Sequence, residues 1–151
     1  MKLAIGCDEA GYTLKETLKE QLSGLGHEVV DYGTTAGQTA LYPDIAFAVA
    51  GAVAAGTHER AVLICGTGIG MCISANKVAG IRAAQAHDTY SAERAQKSND
   101  AQVLCLGARV IGPELAKSVV AHWIAAHFEA GRSSEKVERI AAFEAADRKQ
   151  P

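Results

Sequence analysis

Segments that look like buried strands alternate with segments of helical periodicity from one end of the chain to the other, and few architectures accept that rhythm. Apolar runs predict strands over Lys2–Cys7, His27–Tyr32, Ala61–Ile64, Ile81–Ala86 and Gln102–Gly107. Leucines at 14, 18, 22 and 25 form a helical stripe over Thr13–Leu25, with Gly24 and Gly26 placed to stop it. Pro43 is suited to the first position of a helix running to Ala55. Further helices are expected over Ile69–Lys77, Ser91–Lys97, Pro113–Phe128 and Ser134–Ala146. Strict alternation implies a parallel sheet covered on both faces. The expected fold is therefore α/β: a single three-layer α/β/α domain over residues 1–151, with a five-stranded parallel sheet and an added C-terminal helix.

The 151 residues, 48% of them hydrophobic, are enough to bury a real core. A net charge of −2 gives no electrostatic case for nucleic acid or an anionic membrane. No apolar run approaches the ~18 residues of a membrane-spanning helix, and the apolar start Met1–Cys7 is too short for a signal peptide. The four cysteines, Cys7, Cys65, Cys72 and Cys105, lack metal-type spacing, so no metal site is expected and a reducing cytoplasm is the plain setting.

In doubly wound, Rossmann-like sheets, right-handed crossovers put the C-terminal strand ends on one side, and ligands bind there. The predicted ends carry Cys7-Asp8-Glu9, Cys65-Gly66-Thr67, His87-Asp88 and Gly107-Ala108-Arg109. These groups should converge. Gly66-Thr67-Gly68-Ile69-Gly70 leads into a helix and can turn its N–H groups on an anion. It has neither the Lys-Ser/Thr of a phosphate loop nor the dinucleotide spacing of glycines, and it is alternatively a tight strand-to-helix turn. Cys65 stands just before it. A thiolate there could take a proton from carbon next to a carbonyl, and the loop N–H groups could hold the resulting oxyanion. An isolated cysteine is more often a small core residue; position at a strand end reverses that preference. Cys7 is the weaker rival, and Cys72 and Cys105 are expected to pack.

Asp8 and Glu9 either orient ligand hydroxyls or cap the following helix. Arg109, Arg132, Lys136 and Arg139 are candidate phosphate ligands, each alternatively a solvated surface residue. His87 is a candidate acid or base, or a hydrogen-bonded loop residue.

Ile5-Gly6-Cys7-Asp8, Asp31-Tyr32-Gly33-Thr34, Tyr42-Pro43-Asp44, Ile64–Lys77, Gly80-Ile81-Arg82-Ala83, Ser98-Asn99-Asp100-Ala101 and Gly107–Gly112 together carry a resemblance. The chain resembles type B ribose-5-phosphate isomerases and the related galactose-6-phosphate isomerase subunits over Lys2 to Phe143. That resemblance implies a cofactor-free aldose–ketose isomerase working through an enediolate. By it, Cys65 is the base, assisted by Thr67; Gly66, Gly68, Ile69 and Gly70 cradle the oxyanion. Asp8 and Asn99 bind substrate hydroxyls, and Arg109, Arg132 and Lys136 bind phosphate. It also implies a homodimer or homotetramer with sites shared between subunits.

Some positions depart from the ribose-phosphate pattern. Glu9, Ser98 and Ser133 stand where those enzymes usually have histidine, and Lys136 where they have arginine. The histidine expected at 98 is the ring-opening acid. A tetrose 4-phosphate cannot close a furanose ring, because its O4 carries the phosphate, so Ser98 suits an acyclic substrate. His87–Arg94 followed by Ser98-Asn99 resembles the erythrulose-4-phosphate isomerase branch. Alternatively His87 opens the ring of a pentose phosphate. Two other classes compete: a nucleotide-binding module on a similar sheet, and a non-catalytic partner subunit.

Overall fold

The computed structural model describes residues 1–147. Five parallel strands, β1 (Lys2–Cys7), β2 (Glu28–Asp31), β3 (Arg60–Cys65), β4 (Ala83–Gln85) and β5 (Val103–Gly107), lie in the order β2-β1-β3-β5-β4. A short 3-10 turn, Glu9–Gly11, leads into α1 (Tyr12–Gly24). The other helices are α2 (Tyr42–Ala54), α3 (Ile69–Ala75), α4 (Thr89–Asn99), α5 (Pro113–Ala125) and α6 (Ser134–Asp147). One sheet face packs Leu3, Ile5, Val62, Ile64, Leu104 and Leu106 against α1, α4 and α5. The other packs Ala4, Leu63, Cys65, Val103 and Cys105 against α2 and α3. Alternation along each strand thus sends Cys7 and Cys65 to opposite faces. Chain order reverses direction between β1 and β3, so their C-terminal ends flank the switch point where such folds bind ligands.

Element boundaries differ from expectation where side chains intervene. The α5 helix stops at Ala125 rather than Phe128. Buried Arg60 donates to the carbonyls of Trp123, Ile124 and Ala126 at 3.1, 3.3 and 2.9 Å, satisfying the helix end and turning the chain away. The α3 helix stops at Ala75, not Lys77; Asn76 bonds Ala83 instead, through both its amide nitrogen and its oxygen. Strand β4 is shorter than Ile81–Ala86 because Arg82 N donates to the Gln102 side chain rather than to the ladder. Helix α4 starts at Thr89, two residues before Ser91, since Asp88 caps it by accepting from Ser91 N at 2.7 Å. Helix α6 matches expectation in position but buries no residue.

Candidate active site

Three backbone bonds draw the strand ends together: Asp8 N to Ile64 O, Ala108 N to Cys65 O and Arg109 N to Gly66 O, at 3.3, 2.9 and 3.0 Å. Cys65 ends β3 with 5% exposure, and its Sγ accepts from Gly68 N at 3.1 Å. The loop N–H is thereby aimed at the sulfur, where negative charge would have a partner. Gly68 makes this geometry available: its φ is +80°, and a Cβ on it would lie 2.8 Å from the Leu106 carbonyl carbon. Thr67 is exposed beside it, its hydroxyl accepting from Ile69 N at 3.3 Å. The Arg109 side chain runs over Gly66, within 3.5 Å of where a Cβ would stand. Gly70 is covered by the Tyr42 ring, which a Cβ there would meet at 2.5 Å.

Asp8 takes the capping role foreseen for it. Its Oδ1 caps the 3-10 turn, accepting from Ala10 N and Gly11 N at 3.0 and 3.2 Å, and Oδ2 has no such bond. Burial pushes its carboxyl above the usual carboxylate value, against the pull of the backbone N–H groups. Glu9 sits exposed in that turn. His87 Nε2 accepts from Gly107 N at 2.8 Å, so the neutral ring carries its proton on Nδ1. Burial lowers its pKa, and this bond is lost on protonation of Nε2; both favour the neutral ring. Cys7 is fully buried on the opposite sheet face from Cys65, and burial pushes its thiol up. Cys105 packs in the core as expected. Cys72, half-buried, packs against the same core, and contact with the Cys105 thiol outweighs burial and brings its thiol to about 7.

Ser98, Asn99, Arg132 and Lys136 lie elsewhere. They line a cavity of about 620 Å³ with Arg94 and Lys97, and no strand-end residue reaches it. Helix α4 explains the separation of Ser98 and Asn99. It starts beside His87 and runs back along the sheet, so Asn99, ten residues on from Thr89, lies roughly 15 Å along its axis. Ser98 Oγ accepts from Arg94 Nε at 3.0 Å and also from Arg94 Nη2. Among the described residues neither Arg132 nor Lys136 has a carboxylate partner, and each remains available to an anion. A larger cleft of about 870 Å³ opens between β4, α4 and α6, with Ile81, Ala84, Tyr90, Ile140 and Phe143 in its walls.

A sequence model described as Ribose/Galactose Isomerase matches residues 3–140. The chain belongs to the ribose/galactose isomerase family. It is 55% identical to D-erythrulose-4-phosphate isomerase of Pectobacterium atrosepticum, over 95% of each chain. It is 46% identical to ribose-5-phosphate isomerase B of Escherichia coli, over 95% of this chain and 96% of that one. The structure of Clostridium thermocellum ribose-5-phosphate isomerase B superposes with a TM-score of 0.95 at 43% identity, covering 97% and 99% of the two chains.

This isomerase holds three site features that local reading of the sequence assigned no role. Tyr42 covers Gly70, Gln85 bonds the Thr67 carbonyl, and Arg94 bonds Ser98. Only Arg94 carried a signal, its i,i+4 spacing to Ser98 on one helix. Among the described residues no helix is long and apolar enough to cross a membrane.

Proposed function

We propose that this isomerase interconverts the ketose and aldose forms of a small sugar phosphate, with Cys65 as the base. The thiolate takes a proton from the hydroxylated carbon next to the carbonyl. The electron pair moves onto the carbonyl oxygen, giving an enediolate whose charge faces the N–H groups of Gly66–Gly70. The thiol returns the proton to the neighbouring carbon, and a hydroxyl proton moves between the two oxygens. Thr67 and Asp8 sit beside this path, and Arg109 is the strand-end cation for phosphate. The observation that carries the proposal is the Gly68 N–H directed at Cys65 Sγ on a strand end. Cys65→Ala should lower kcat about a thousandfold with its circular dichroism unchanged. Activity near wild type would remove Cys65 as the base.

The substrate we favour is a tetrulose 4-phosphate, D-erythrulose 4-phosphate to D-erythrose 4-phosphate. Ser98 supports this, because its oxygen is engaged by Arg94 and no imidazole is present there to open a ring. Ribose 5-phosphate is the second reading, supported by the name of the Escherichia coli relative. Comparing kcat/KM for the two decides: the tetrulose should lead by at least about tenfold, roughly 1.4 kcal/mol in the barrier. A preference for the pentose would end the acyclic argument.

The working unit we infer is a homodimer or a homotetramer built from it. Ser98, Asn99, Arg132 and Lys136 of one subunit would face the Cys65 group of the next. The apolar side chains exposed on α2, α3 and α6, among them Phe47, Ile69, Ile73 and Phe143, supply surface for such contact. The four free thiols suit a reducing cytoplasm.

A further inference from the structure

The peptide between Thr67 and Gly68 is held at both of its polar groups. Its N–H donates to Cys65 Sγ at 3.1 Å, and its carbonyl accepts from Gln85 Nε2 at 2.6 Å. In a trans peptide these groups point in opposite directions within one rigid plane. One plane therefore joins a side-chain amide on β4 to the thiol that ends β3. That plane has little freedom to turn. Gly68 holds a φ of +80°, a Cβ on Gly68 would meet the Leu106 backbone at 2.8 Å, and a Cβ on Gly107 would meet the Thr67 oxygen at 2.6 Å. Gln85 itself is exposed and serves no core; its amide reaches over the end of β5 to this one carbonyl.

We propose that Gln85 is a positioning residue for the isomerisation, orienting and polarising the Thr67–Gly68 peptide so that its N–H is presented to Cys65. The proposal rests on Cys65 acting as the base. A donor on a peptide oxygen strengthens that peptide's own N–H, by about 10–30% per bond. The N–H matters most when sulfur carries charge, which is the state that starts proton abstraction. Loss of Gln85 therefore acts on kcat and on its pH dependence, and leaves substrate capture alone.

Two variants test this. Gln85→Met keeps the length and removes the donor; Gln85→Glu keeps the shape and sets a carboxylate against the Thr67 carbonyl. The Met variant should lower kcat about threefold and the Glu variant about tenfold, with KM unchanged. In both, the acid limb of the pH–kcat/KM profile should move to higher pH, while Tm stays within about 2 °C of wild type. An unmoved kcat and pH profile overturns the proposal. So does a kcat loss that merely tracks a large fall in Tm, which would mark Gln85 as structural. Failure of the Cys65 assignment is read separately, from the activity of Cys65→Ala.

Discussion

Gly68 concentrates the chemistry of the site in one residue without a side chain. Its left-handed backbone turns the N–H on Cys65, and its bare Cα lets the loop lie on Leu106. Gly68→Ala should cost about 1–2 kcal/mol from the backbone alone. That corresponds to about 4 °C in thermal unfolding, with a fall in kcat because the loop must shift off Leu106. A variant with wild-type Tm and kcat would show that the loop tolerates a Cβ and that the close approach is not required. Asp8 illustrates a second point at this scale. One carboxyl oxygen accepts both N–H groups of the turn that follows β1, so capping occupies Oδ1 and does not need Oδ2.

Strand β2 is tied to α1 by a partly buried ion pair. Lys15 of α1 is 1% exposed, yet its ammonium reaches Asp31 at 2.7 Å and the Thr34 carbonyl at 3.0 Å. Burial works against charge on Asp31, but Lys15, the Gly33 N–H and Lys19 outweigh it and hold its carboxyl below the usual value. Burial likewise opposes charge on Lys15, and Asp31 with Glu16 raises it above its usual value nonetheless. Because the folded carboxyl is the stronger acid, the unfolded chain binds more protons in acid. Its stabilisation is present above the unfolded carboxylate pKa of about 3.9 and is lost as pH falls through the lower folded value. The Tm gap between wild type and Asp31→Asn should therefore be wide at pH 7 and close towards about pH 2. A gap independent of pH would mean that the ion pair does not hold β2 to α1. Helix α5 shows another kind of dependence: its end is set by Arg60, 63 residues earlier than Trp123 in the chain.

For the molecule as a whole, the separation of Cys65 from Ser98, Asn99, Arg132 and Lys136 is the dominant fact. If subunits complete each other's sites, two inactive variants should rescue each other. Mixing Cys65→Ala with Arg132→Ala after dissociation should restore about a quarter of wild-type activity, since half of randomly paired dimers hold one intact site. No recovery, with exchange of subunits verified, would count against shared sites. Much of the fold was legible in the sequence, because strand and helix periodicities are local and alternate cleanly here. The strand-end cluster was legible too: Cys65 precedes its glycine loop directly, and parallel topology gathers the other ends. The family resemblance was carried by seven short segments together, among them the ordered run Ile64–Lys77. Local pattern could not place Gln85 on the Thr67 carbonyl, Tyr42 over Gly70 or Arg60 at the end of α5, since each joins elements distant in the chain. Nor could it show that the phosphate candidates divide into two groups. That division follows from α4 and α5 both running antiparallel to the strands: α4 carries Ser98 and Asn99 away from the end where Cys65 stands, and α5 carries the chain on to Arg132 and Lys136 beside them, where Glu129 N bonds Lys97 O. Sequence alone determined the elements, the thiol and its glycine loop, because those depend on neighbouring residues. Tertiary structure alone decided which groups share a site, because that depends on how far one helix travels before the chain turns back.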